Sequence, residues 1–147
     1  MPETIFDQIL RGDAPATFVY RDDLVSAFMD IQPVNPGHVL VVPNEPAAYL
    51  ADLPVETGAQ LFRVAQRIAE ALRASDLRCE GVNLFLADGA AAMQEVFHVH
   101  LHVFPRYKGD GFGLRFSEAY FQKPEKPERA ALEEAGASIR AALELAE

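Results

Sequence analysis

Three histidines recur at every second position in the stretch His98-Val99-His100-Leu101-His102-Val103-Phe104-Pro105, and a fourth stands at His38. Imidazole is the one side chain that attacks, donates or accepts a proton, or ligates a metal near neutral pH without special help. Side chains on a strand alternate between faces, so the spacing predicts His98, His100 and His102 on one face. Val99, Leu101 and Val103 then share the other face and can pack on a core. A solvated strand face is ordinarily built from Thr, Lys, Glu and Ser, not from one repeated titratable ring.

Two chemistries compete for such a row. Residues two apart on a strand lie about 6.6 Å apart, so His98 and His102 are separated by roughly 13 Å along the backbone. Metal bonds of about 2.1 Å demand converging ligands, which disfavours a metal-dependent hydrolase with all three rings on one ion. A row of donors suits an extended anion such as a nucleotide phosphate. The rings oppose one another's protonation, so their titrations are coupled and they are not all cationic together. Phosphorus chemistry needs a nucleophile, donors for the phosphate oxygens and help for the leaving group, and neutral imidazole meets the first need.

The stretch resembles the signature of the histidine triad (HIT) family, three histidines alternating with apolar residues. Val99, Leu101, Val103 and Phe104 stand at the apolar positions. The resemblance continues upstream through Ile5-Phe6 with Ile9-Leu10-Arg11-Gly12, through Phe28-Met29-Asp30-Ile31-Gln32-Pro33, and through Pro36-Gly37-His38-Val39-Leu40-Val41-Val42-Pro43, covering about residues 4 to 115. Small bacterial single-domain members are the most similar type. The resemblance implies that His100 becomes nucleotidylated and is then released by water, with His98 and His102 as its phosphate-side neighbours and His38 supporting the site. It also implies a homodimer. Zinc-carrying relatives have two cysteines near the start and a histidine after the third strand. Thr4, Asp7 and Pro46 stand near those positions, so no structural zinc is expected.

Substrate-binding candidates follow by type and position. Asp30 before Ile31-Gln32-Pro33 suits a turn, and the resemblance assigns it the ribose hydroxyls. Asn83 is out of place in a strand, which suggests a role, and the resemblance gives it ribose or phosphate contact. Gln94 can donate its amide to phosphate. The family often has Gly-Gln-Ser there. This chain has Met93-Gln94-Glu95, so Met93 removes a flexible glycine and Glu95 replaces a hydroxyl donor with a carboxylate. The resemblance implies that Phe28 and Ile31, with Phe6 and Ile9, form an apolar slot for the base.

The elements that hold these residues read clearly. Residues 4–11 have helical spacing with Gly12 as a stop. Residues 18–21 and 24–30 read as a hairpin, 38–42 as a short apolar strand and 81–87 as another strand. Residues 54–75 form an amphipathic helix with Leu61, Ala65, Ile68 and Leu72 in one stripe. A helix from about 128 to 145 carries Leu132, Ala135, Ile139 and Leu143 on one face. Consecutive strands joined by short turns predict an antiparallel sheet with helices packed on it, an α+β class. The resemblance specifies a HIT-like fold: five antiparallel strands, a long central helix, a short N-terminal helix and a C-terminal helix. Length predicts one domain over residues 1–147.

Composition limits the partners. The chain has 22 acidic and 13 basic residues, a formal charge of −9, which disfavours a nucleic-acid surface. Cys79 is the lone cysteine, so no internal disulfide forms. The start lacks a basic region followed by an apolar run, and no run is long enough to span a bilayer, so a soluble cytoplasmic protein without membrane contact is expected. No cofactor and no metal are expected. The function expected is a hydrolase or transferase at the α-phosphorus of nucleoside phosphate derivatives such as purine nucleoside phosphoramidates or dinucleoside polyphosphates. The alternative is a non-catalytic nucleotide-binding regulatory protein.

Overall fold

The structure is a computed structural model that describes residues 1–122 and 126–146. The chain divides into two compact units, Met1–Phe112 and Gly113–Glu147. The first contains a five-stranded sheet in the order β1-β2-β3-β5-β4, with β1 Phe18–Arg21, β2 Val25–Met29, β3 Val39–Pro43, β4 Gly81–Phe85 and β5 Leu101–Arg106. Every neighbouring pair is antiparallel. Helix α1 spans Ile5–Arg11 and helix α2 spans Val55–Ala74. This is the expected α+β architecture.

Alternation along the strands produces two faces with different covers. Val25, Ala27, Val39, Val41, Val99, Leu101 and Val103 form the main core with Leu61, Val64, Ala65 and Leu72 of α2. Each such side chain contributes about 1.5–3 kcal/mol on burial, so the α2 stripe alone outweighs any surface pair. Phe28, Leu40 and Val42 point the other way, and Phe6 of α1 caps them. Helix α1 starts at a capping box in which Thr4 and Asp7 satisfy each other's backbone N–H groups. It stops at Gly12, whose left-handed φ of 89° ends the helix. Asp22 closes the first hairpin by accepting from the N–H groups of Leu24 and Val25.

The triad stretch is strand only from Leu101 onward. Residues 98–100 precede the regular ladder, yet Val99 still enters the main core, so the alternation survives without strand pairing. In the second unit, α3 covers Glu118–Phe121 and α4 covers Arg129–Leu145. The rings of Phe116 and Tyr120 stack at 4.5 Å. The expected apolar stripe of α4 is present but exposed at Leu132, Ile139 and Leu143. No helix among the described residues is long and apolar enough to cross a membrane.

Gly37 sets the entry to β3. Its φ is 106°, and a Cβ there would sit 2.9 Å from Leu77, 3.0 Å from Leu72 and 3.2 Å from Pro105. Gly37→Ala combines positive-φ strain with overpacking and should lower unfolding free energy by about 2 kcal/mol, read as a fall in thermal midpoint. An unchanged midpoint would show that the turn before His38 relaxes freely.

Candidate functional site

His100, just before β5, and His102, within it, project on the face that bears Leu40, the β3 partner of His102. Their ring centroids lie 5.0 Å apart. Phe6 packs edge-on against His100 at 5.0 Å, and Phe85, paired across β4 with His102, packs on that ring at 5.7 Å. His38 is buried beside them, 5.0 Å from Phe104.

Backbone groups decide where the ring protons sit. His100 Nδ1 lies 2.8 Å from the His98 carbonyl, which can only accept, so Nδ1 carries the proton. Nε2 keeps its lone pair and has no hydrogen-bond partner among the described residues. On the other side, the Val34 N–H donates to His38 Nδ1 at 3.0 Å. That nitrogen is therefore an acceptor, and in neutral His38 the proton is on Nε2. His38 Nε2 lies 2.9 Å from His102 Nδ1, so it donates there. In neutral His102 the proton is then on Nε2, ready to donate to a ligand.

Electrostatics agree. Burial pushes the pKa of His100 down, the charge at His98 adds to this, and the His98 carbonyl and Asp30 only partly oppose it. His38 is also lowered by burial, against the pull of Asp30. His102 falls to about 4, from burial first and then from repulsion by His100 and His38. All three rings are neutral at pH 7.

Asp30, His38 and His102 bring three potential ligand atoms within 4.8 Å of one another. The Val34 N–H argues against a metal there, since it puts a proton on the His38 nitrogen that would have to coordinate. Asp30 Oδ1 accepts from the Gln32 N–H at 2.8 Å, while Oδ2 lies 3.5 Å from His38 Nε2. The carboxylate is thus fixed at the mouth of the site by turn chemistry.

The remaining candidates divide. Asn83 lies on the triad face of β4, opposite Phe104. Its Oδ1 accepts from Arg106 at 2.8 Å, which leaves its amide N–H groups to donate. Phe28 and Phe6 are buried in one apolar cluster with half-buried Ile9 against it, whereas Ile31 is 92% exposed. His98 departs most from its expected place. It is fully buried, it donates through Nε2 to the Pro43 carbonyl at 2.9 Å, and it offers nothing to a ligand.

Gln94 also departs from expectation. Its amide donates to the carbonyls of Ala48 and Val96 and accepts from the Gly89 N–H, so it braces the loop and has no N–H left for phosphate. Met93 adopts the left-handed conformation despite its side chain, at φ 69° and ψ 28°, so the loop keeps the shape a glycine would favour. Glu95 is exposed and lines a hollow with Thr4, Ile5, Tyr49 and Phe97, none of them a triad residue.

Sequence reasoning missed the bracing around Asn83. Arg106 grips Asp110 with two nitrogens and reaches both Asn83 and the Phe112 carbonyl. Asn35 ties Asp110 to the Pro105 carbonyl from beneath. The only signal was an Arg and an Asp four residues apart after a strand.

A model of the HIT domain matches residues 11–109. A purine nucleoside phosphoramidase of Escherichia coli K12 is 36% identical over 69% of this chain and 85% of its own length. A HIT family protein from Bacillus anthracis has a crystal structure that covers 94% of this chain and 95% of its own, at 33% identity and a TM-score of 0.82. A zinc-bound histidine triad family protein from Mycobacterium smegmatis is 42% identical, with a TM-score of 0.71 over 97% of this chain and 96% of its own.

Gln94→Ala removes three hydrogen bonds whose partners, at Ala48, Gly89 and Val96, are half-buried. It should cost about 2–3 kcal/mol in denaturant unfolding. A near-neutral result would show that the amide is available to a ligand after all.

Proposed function

The chain belongs to the histidine triad (HIT) family, and from that premise we propose that it hydrolyses nucleoside phosphate derivatives at the α-phosphorus through a nucleotidyl-histidine intermediate on His100. The observation that carries this reading is the fixed tautomer of His100, with Nδ1–H bound to the His98 carbonyl and Nε2 unengaged. The Nε2 lone pair forms a bond to phosphorus while the bond to the leaving group breaks, and the bonding electrons depart with that group. His102 Nε2–H donates a hydrogen bond to it. Water then attacks phosphorus, the P–N bond breaks, and His100 returns to its neutral form. The water's proton ends on the departed group.

Other residues serve binding. Asp30 takes the ribose hydroxyls, the Asn83 amide faces phosphate, and Phe6, Ile9 and Phe28 receive the base. Purine nucleoside phosphoramidates and dinucleoside polyphosphates share the nucleotide half that these groups recognise. The phosphoramidase of E. coli supports the first class. A homodimer accords with this reading, because β4 is an edge strand that exposes Leu84 and Phe85. Light scattering should return twice the chain mass.

His100→Ala should abolish nearly all turnover while AMP still binds, since its contribution is made in the transition state. Mass spectrometry with an adenylated substrate should place the adduct on His100, and turnover should survive exhaustive chelation. Near-wild-type turnover in His100→Ala would eliminate the covalent route. AMP binding with no turnover against phosphoramidates or dinucleoside polyphosphates would favour the regulatory alternative. Met93 and Glu95 motivate that reading by their departure from the family triplet.

The pH profile has a defined sign. Attack needs neutral His100, whose pKa lies below its ordinary 6.5. The logarithm of kcat/KM should stay level from pH 8 down through 6.5 and decline only below that. An acid limb centred above 6.5 would contradict the burial argument.

A further inference from the structure

His98 is fully buried, and its two nitrogens are treated differently. Nε2–H donates to the Pro43 carbonyl. Nδ1 is the one buried side-chain nitrogen or oxygen without a hydrogen-bond partner among the described residues. It does not face an apolar wall. Asp7 Oδ1 lies 3.6 Å away, beyond hydrogen-bond range but within reach of a charge.

Asp7 is itself oriented. Its Oδ2 accepts from the backbone N–H of Thr4 at 2.7 Å and from the Thr4 hydroxyl at 3.1 Å, which leaves Oδ1 for the ring. Burial would raise the Asp7 pKa, but the Thr4 hydrogen bonds and the charge at His98 lower it on balance. A bare buried lone pair beside a carboxylate is doubly unfavourable, being unsatisfied and repelled. A proton on Nδ1 turns the repulsion by Asp7 into attraction across 3.6 Å. The charged and titratable groups that face His98 are Asp7 from α1 and His100 from its own stretch. From β3 it meets the neutral Pro43 carbonyl, and the Phe6 ring packs on it edge-on at 5.8 Å.

We propose that Asp7 is a positioning residue for the nucleophile: paired with an imidazolium at His98, it anchors the residue whose carbonyl holds His100 and keeps a positive charge behind that ring. The proposal rests on the reading of His100 as nucleophile. The charge at His98 opposes a proton on His100 and so keeps Nε2 nucleophilic. It also offsets, close to the site, the negative charge of an incoming phosphate. The first turn of α1 thereby acts on the reaction through a residue that never touches substrate.

The test has one arm that needs no activity. Imidazole nitrogen-15 spectra of the ligand-free wild type at pH 7 should show both His98 nitrogens protonated. In Asp7→Asn, which retains an oxygen for the Thr4 cap, one His98 nitrogen should become unprotonated. In the second arm Asp7→Asn should lower kcat by roughly tenfold to a hundredfold and raise KM by a smaller factor. The acid limb of kcat/KM should move up by about one pH unit, because His100 loses a positive neighbour. Asp7→Glu should restore part of both. A neutral His98 in the wild type would overturn the proposal even if Asp7→Asn fails to fold. So would an unmoved acid limb in a folded Asp7→Asn. Failure of the nucleophile reading would instead appear in His100→Ala, and it would leave the His98 spectrum as expected.

Discussion

The carbonyl oxygen of His98 accepts the Nδ1 proton of His100, and the chemistry of the whole face depends on that bond. Imidazole offers two nitrogens and one proton, so a neutral ring is a nucleophile at only one of them. A backbone carbonyl is an acceptor in every protonation state, which makes it a firmer arbiter than any side chain. The Val34 N–H plays the mirror role, since a backbone donor at His38 Nδ1 sends the proton toward His102. One carbonyl and one amide therefore set the proton positions on His100 and, through His38, on His102.

An acidic protein that binds an anion needs local compensation. With a formal charge of −9, the molecule repels phosphate at long range. At the candidate site the groups on offer are hydrogen-bond donors: the outward N–H of His102 and the amide of Asn83, whose oxygen accepts from Arg106. Rings kept neutral by burial cannot supply net charge of their own, and His102 with a pKa of about 4 is the clearest case. This is the physical setting in which a charge held one layer deeper, at His98, has an effect.

Strain collects around this arrangement. Met93 holds a left-handed backbone that costs a side chain about 1 kcal/mol, and the loop keeps it because Gln94 ties the loop to Ala48, Gly89 and Val96. Gly37 occupies a place where no Cβ fits, immediately before His38. Both features lie within two residues of a group that shapes the site, and rigid packing elsewhere offsets them.

Local patterns in the chain were enough for the elements. Period-two alternation placed Val99, Leu101 and Val103 in the core and the histidines on the other side, because that depends only on backbone geometry. Helical spacing marked α1 and α2 for the same reason. The turn at Asp30 was legible from Asp30-Ile31-Gln32-Pro33. What tertiary structure decided was which polar atoms remain available. Gln94 read as a ligand donor until the carbonyls of Ala48 and Val96, distant or adjacent in sequence, claimed its amide. His98 read as a phosphate neighbour until α1 folded over it and Pro43 took its Nε2 proton. Arg106 and Asp110 offered only their spacing of four, since their meaning lies in Asn83 and Asn35. Periodicity determines where a side chain points. Which polar atoms stay available is settled by folded partners, near in sequence for His100 and distant for Gln94 and His98, and periodicity records none of them.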